Sequence, residues 1–442
     1  MPENIDNNAI LKRVERYRKP MIRFLRELVA IPAESCQEQP VIERIRAEME
    51  KTGAFDRIWI DGMGNLLGKI GRGKRLIAID AHVDTVGVGN IEEWKHDPYK
   101  GKIDDTYIWG RGAGDQRGAI PAMVYGARVM RDLGLNSDDW SLLMTFTVME
   151  EDCDGLCWQY IVKESGIRPE VVVVTDSTNA TILRGQRGRM EIGVTTTGRS
   201  CHGSMPHKGV NAIYKAAKIV NEIEKLNEHL KPNAFLGKGT ITVSYIDCKT
   251  PSMCAVPNQA YIHLDRRLTL GENKALALRE VRDAVKRAGV TARVGLATYE
   301  RESWKGLVYP TKSHFPTWVY PEEAPHVQAA VSTCRKLFNE SKPKVGRWTF
   351  STNAVSISGM FRIPVVGYGP AEEAVAHTVN DRVPIEHLIK CAAFYASYPG
   401  IYCEENPQPV LPAGRVRTPP HAAKKASRRK SSTRKRVSTK AS

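Results

Sequence analysis

Acidic and imidazole side chains recur in this 442-residue sequence at the ends of short apolar runs. His82-Val83-Asp84 follows RLIAIDA (75–81) directly, and Asp115 lies in GRGAGDQRG ahead of a helical pattern. Glu150-Glu151 closes SLLMTFTVM (141–149), and Asp176 closes VVVVT (171–175). Side chains leaving the C-terminal ends of strands in an open α/β sheet converge on one crevice. Carboxylates with a few imidazoles suit zinc, cobalt or manganese. Like charges packed together repel, so such a cluster is tolerable mainly when cations neutralise it. A metal-free carboxylate pair, as in glycosidases, leaves His82 and Asp84 without a role.

The elements that must position these groups follow from periodicity. The three apolar runs are short and branched and read as buried strands. RGAIPAMVYGARVMRDLG and GLCWQYIVKESG between them have helical spacing and end in glycine. Alternating strands and helices predict a largely parallel sheet covered on both sides. From residue 187 the rhythm changes: strand MEIGVTTTG, helix GVNAIYKAAKIVNEIEKLNEHL, strands GTITVSYI and QAYIHLDRRL, helix ENKALALREVRDAVKRAG and strand VTARVGLATY. This βαββαβ order is that of a ferredoxin-like unit. The expected organisation is an α/β domain over 1–186 and 305–405, an inserted domain over 187–304, and a disordered basic tail over 406–442.

Net charge is +16, but Arg415–Ser442 carries eleven Lys and Arg and no acid, which leaves +5 for the rest. The run KKASRRKSSTRKR reads either as a solubilising tail or as a segment binding nucleic acid or another acidic partner in a salt-sensitive way. No apolar stretch approaches the ~20 residues of a membrane helix. The start, MPENIDNNAILKRVERYRKP, has no apolar export segment. Nine scattered cysteines point to reduced thiols, so a cytoplasmic location is expected. Gly110, Gly112 and Gly114 mimic a nucleotide fingerprint, yet Asp115 would put a negative charge where phosphate must sit. Cys201 and His202, as neighbours in an extended strand, point to opposite faces, which argues against a thiol nucleophile.

AHVDTVG, GRGAGDQRGAIPA, TVMEEDCDG, GRSCHGSMPHKGVNAI and AHTVNDRV resemble, in order and spacing, the metallopeptidase family of acetylornithine deacetylase, succinyl-diaminopimelate desuccinylase, glutamate carboxypeptidase and aminoacylase. The resemblance covers residues from about 20 to 400, and MEEDCDGLCW with FSTNAVSISG is similar to the hydrolases linked to selenium metabolism. It implies a zinc-peptidase-like catalytic domain, a ferredoxin-like lid that also forms a homodimer, and two divalent metal ions, zinc first, with cobalt or manganese as alternatives. His82 and Asp176 would hold one ion, Glu151 and His377 the other, and Asp115 would bridge them. Asp84 would accept the other N–H of His82. Glu150 would be the general base. The bond Asp115–Gln116 would be cis.

His202 matches a histidine that reaches into the neighbouring subunit's site to stabilise an oxyanion. Arg267 matches an arginine that grips a substrate carboxylate, with Arg266 beside it read as a solvated neighbour on an edge strand. The family's asparagine thirteen residues earlier is Cys254 here. Ser351-Thr352-Asn353 stands where relatives place a substrate-lining glycine–threonine–aspartate loop, which makes Asn353 a candidate substrate contact. Family aminopeptidases and dipeptidases tend to have aspartate at the Asp176 position, and deacylases glutamate. Amide hydrolysis in small N-acyl amino acids or short peptides is the expected activity. A member that binds metal and ligand without catalysis would not need Glu150.

Overall fold

The computed structural model describes residues 7–407, so nearly all of the expected tail over 406–442 lies outside the described residues. The branched runs form strands β1 (Arg57–Ile60), β2 (Leu66–Ile70), β3 (Arg75–His82), β4 (Trp140–Thr147), β5 (Val171–Val174) and β6 (Ile182–Leu183). A second group is β7 (Gly188–Thr197), β8 (Thr240–Lys249), β9 (Gln259–Leu268) and β10 (Ala292–Leu296). Strands β11 (Val345–Gly346) and β12 (Val365–Gly367) follow.

The larger sheet runs β1-β2-β4-β3-β5-β12-β6-β11. Its central strands β4, β3, β5 and β12 are parallel to one another, with antiparallel pairings to β2 on one side and β6 on the other. Every residue of β4 and β5 is buried, as continuous apolar runs require when both faces are covered. Helices Ala119–Leu133 and Ile385–Glu405 pack on each other and share this core. Because the central strands point the same way, His82, Glu150 and Asp176 leave the sheet at one end. The run 141–149 does not stay in the sheet throughout. Pairing stops at Thr147, and Met149 turns away with φ of 60°.

The second sheet runs β8-β9-β7-β10 with every pairing antiparallel. Burial alternates along β7 and β9, the mark of a sheet covered on one face. Helices Ala212–His229 and Lys274–Arg287 supply the cover, each capped by an asparagine side chain, Asn211 and Asn273. Ile192, Val194, Ile219, Ile262, Leu264 and Val281 belong to a core separate from that of the larger sheet. The observed order is the βαββαβ read from periodicity. Arg266 departs from expectation. β9 is an interior strand, and Arg266 is fully buried in ion pairs with Glu272 (2.8 Å) and Glu280 (3.2 Å). The alternation of β9 turns every second residue inward, and Arg266 is one of these.

Candidate active site

The crevice at the end of β3, β4 and β5 gathers side chains that are far apart in the chain. His82 is 1% exposed, and its Nε2 lies 3.2 Å from Asp115 Oδ1, 3.6 Å from Asp176 Oδ1 and 3.9 Å from Glu150 Oε2. His377, from the loop before Ile385–Glu405, places its Nε2 2.9 Å from Glu151 Oε2 and 3.2 Å from Asp115 Oδ2. Asp115 therefore faces one imidazole with each oxygen. Its Asp115–Gln116 peptide bond is cis. Ligand atoms of His82, Asp115 and Glu151 all lie within 4.8 Å of one another.

Two observations fit these residues to divalent cations. His82 Nδ1 lies 3.0 Å from the backbone carbonyl of Asp84, which can only accept, so Nδ1 carries a proton and Nε2 is the nitrogen turned toward the carboxylates. A proton or a divalent cation between Nε2 and those oxygens satisfies both, and the cation does so with the imidazole neutral. Glu151 Oε1 and Asp176 Oδ2 are also buried without a hydrogen-bond partner. Metal–ligand bonds of about 2.0–2.1 Å in a tetrahedral site place neighbouring ligand atoms roughly 3.3 Å apart, which matches the separations across Asp115.

Electrostatics show how tightly the charges are packed. Burial, then repulsion from Asp154, Asp176 and Glu151, pushes Glu150 well above the usual carboxylate range. Burial and the adjacent Asp115 push Glu151 up to about 7, and burial with Asp115 and Asp80 pushes Asp176 up to about 6. Burial would depress His82, but Glu150 and the hydrogen bonds with Asp115 and Asp176 raise it well above an ordinary histidine. Hydrogen bonds with Asp115 and Glu151 raise His377 to about 10. Burial would raise Asp115, but the two imidazoles hold it below the normal value. A dication among these groups reverses this logic by favouring the deprotonated ligands.

Not every expected contact is present. The Asp84 carboxylate lies 3.5 Å from His82 Nδ1, farther than its own backbone carbonyl. Instead it accepts the backbone N–H groups of Glu150 (3.2 Å) and Glu151 (3.1 Å) and the hydroxyl of Ser35 (2.6 Å). Asn353 is not a substrate contact, because it is fully buried and its amide is spent on the fold. Its Nδ2 donates to Asp80 (2.9 Å) and Thr147 (3.0 Å), and its Oδ1 accepts from Gly155 N (2.8 Å) and Cys157 Sγ (3.1 Å). Arg267 stands outside the cluster, paired with Asp265 at 2.8 Å and reaching Ser351 Oγ at 3.3 Å. His202 is exposed, with its ring bonded to Ser204 at 2.7 Å.

Other groups that hold the site had no signal in spacing. Asp381 accepts the N–H groups of Gly112 and Gly114, both at 2.7 Å, and pairs with Arg111 at 3.1 Å, which fixes the loop of Asp115. Buried Arg117 donates to the carbonyls of Val83 (2.9 Å), Leu28 (2.7 Å) and Ile31 (2.7 Å).

Comparison with known proteins agrees with this geometry. Residues 78–399 match peptidase family M20/M25/M40. The uncharacterized protein YgeY of Escherichia coli (strain K12) is 51% identical over 401 residues, covering 90% of this chain and 98% of that protein. Succinyl-diaminopimelate desuccinylase 1 of Alteromonas mediterranea is 25% identical over 362 residues, covering 79% of this chain and 87% of that protein. Among solved structures, the Bacillus subtilis YXEP protein, described as a dinuclear metal-binding peptidase of family M20, superposes with a TM-score of 0.63 at 15% identity, covering 88% of this chain and 99% of that one. The chain therefore belongs to the M20/M25/M40 peptidase family. It is a metal-dependent hydrolase of amide bonds.

The corrected place of Asn353 carries a prediction. Asn353→Ala strands the buried Asp80 carboxylate and the Gly155 N–H, and should lower stability by about 2–3 kcal/mol, read as a drop of several degrees in thermal midpoint. Unchanged melting with a raised KM would restore the substrate-lining role.

Proposed function

We propose that the chain hydrolyses the amide bond of small N-acyl amino acids or short peptides with two divalent ions, zinc first. The observation carrying this reading is Asp115 set between His82 and His377 with one oxygen toward each, beside Glu150, whose carboxyl stands farther off at 3.9 Å from His82. His82 and Asp176 would hold one ion, Glu151 and His377 the other, and Asp115 would bridge them. The ions, when bound, supply Lewis acidity toward the amide carbonyl and ease ionisation of water.

Glu150 then acts as general base. Its raised proton affinity suits it to take a proton from the attacking water. The same carboxyl returns a proton to the leaving nitrogen as the C–N bond breaks, which yields a carboxylate and an amine. Asp84 orients this chemistry indirectly, by holding the backbone of Glu150 and Glu151. Arg267 would meet a substrate carboxylate by exchanging it for Asp265 or sharing it with Ser351. The desuccinylase relative favours N-acyl substrates, and Asp176 favours free-amine peptides.

The antiparallel unit over 187–304 serves as lid and dimer contact. Supporting this, Tyr214 is 71% exposed and Tyr245 and Ile246, on edge strand β8, are 58% and 50% exposed. His202, exposed and unattached to its own chain's cluster, would complete the site of a second copy. No helix of the described residues is long and apolar enough to cross a membrane. All nine cysteines are free, which favours a cytoplasmic setting.

A screen of zinc- or cobalt-loaded protein against dipeptides and N-acetyl and N-succinyl amino acids tests the reading. One class should turn over, chelator should abolish it, and Glu150→Gln should bind metal normally while losing about 10²–10⁴ in kcat. Undiminished turnover in Glu150→Gln would remove the base from the scheme. Mixing two inactive variants tests the role of His202. Randomly paired His202→Ala and Glu150→Gln chains should regain about a quarter of wild-type activity, since half of the dimers carry one complete site. No recovery after demonstrated subunit exchange would place His202 outside the partner's site.

A further inference from the structure

The turn that presents Glu150 and Glu151 is held in an unusual way. Four consecutive backbone N–H groups after the last ladder pair of β4 are taken by side chains from other parts of the chain. Val148 N donates to Asn65 Oδ1 (3.1 Å) and Met149 N to Glu38 Oε1 (3.0 Å). Glu150 N and Glu151 N donate to the two oxygens of Asp84. Met149 sits at φ of 60°, a left-handed conformation that a residue with a side chain adopts at a cost of roughly 1–2 kcal/mol. Something must hold it there.

We infer that Glu38 is a positioning residue for the metal site, its Oε1 fixing the Met149 peptide so that Glu150 and Glu151 point into the crevice. The inference rests on the two-metal reading above. Glu38 is fully buried, stands just before the helix Gln39–Thr52, and belongs to a segment tied to the site from behind. In that segment Glu38 Oε1 also accepts Cys36 N (3.0 Å), Ser35 donates to Asp84 (2.6 Å), and the Ala33 carbonyl accepts Thr85 N (3.0 Å). Asn65 is fixed in turn by Asp61, which accepts its Nδ2 at 2.9 Å. Glu38 Oε2 is buried without a hydrogen-bond partner, a cost that a specific task for Oε1 would offset. Accepting the N–H of a left-handed residue next to two site carboxylates is such a task.

The position of Glu38 in the cradle separates its effect from that of general stability. Loosening Met149 moves Glu151, which would hold the ion shared with His377, while His82 ends β3 and Asp176 lies two residues past β5, both away from the Met149 turn. The test is a titration of metal-stripped full-length protein with cobalt(II) chloride, reading calorimetric affinities and the visible d–d absorption. Wild type should bind two equivalents. Glu38→Ala and Glu38→Asp, which withdraw the acceptor, should weaken by about 10–100-fold the equivalent that disappears in His377→Ala, and alter its absorption. The other equivalent should stay within about threefold, and Glu38→Gln, which keeps an acceptor oxygen at the same reach, should restore both. If Glu38→Ala does not fold, Glu38→Asp carries the comparison. Wild-type affinities in both withdrawing variants, or equal damage in Glu38→Gln, would overturn the inference. Fewer than two equivalents in wild type would instead defeat the two-metal reading on which it stands.

Discussion

Mutual repulsion of buried carboxylates governs this structure. Asp115, Glu150 and Asp176 are at most 6% exposed and share a crevice with Glu151. Two unit charges 4 Å apart interact by about 4 kcal/mol at an effective dielectric constant of 20, so several in one crevice would drive the surrounding loops apart. Two imidazoles and shifted proton affinities relieve part of that repulsion, and divalent cations would relieve the rest. The remaining architecture can be understood as what keeps these groups together against it.

Strand β3 fixes His82 and Asp176 follows β5 by two residues, but Asp115, Glu150, Glu151 and His377 stand on turns and loops, and each is tied down separately. Asp381 holds the loop of Asp115 through two backbone N–H groups, and its position four residues after His377 links these two residues. Arg117 fastens the carbonyl of Val83 to the end of the helix Arg18–Val29 and the residues after it. The turn of Glu150 and Glu151 is carried by Asn65, Glu38 and Asp84. The antiparallel unit also reaches this region, since Arg189 of β7 pairs with Asp154 at 3.2 Å. Asp154 accepts the Ser351 hydroxyl, and Ser351 meets Arg267 of β9. The loop following Glu150 is thus joined to both cores.

The sheet, the βαββαβ unit and the convergence of the acidic and imidazole groups were legible in the sequence, because short branched runs and strand-end acids follow from periodicity alone. His377 was legible only through resemblance, as a loop residue with no periodic context. The supports were not legible. Glu38, Asp381 and Arg117 look like ordinary surface charges, and their burial depends on long-range packing that spacing does not encode. Asn353 was read as a substrate contact only by resemblance of Ser351-Thr352-Asn353 to a family loop, whereas here the amide turns inward to satisfy Asp80. The strand end at Thr147 was overrun for a related reason. Val148 and Met149 are apolar, but side chains take their N–H groups in place of a neighbouring strand.

The central claim is that one carboxylate, Asp115, joins two cation sites. Diffraction from zinc-loaded crystals, recorded on either side of the zinc absorption edge, addresses it directly. The account predicts two anomalous peaks roughly 3.5–4 Å apart, one among His82, Asp115 and Asp176 and the other among Asp115, Glu151 and His377. Peaks confined to other parts of the surface, or no peak within bonding distance of Asp115, would contradict it.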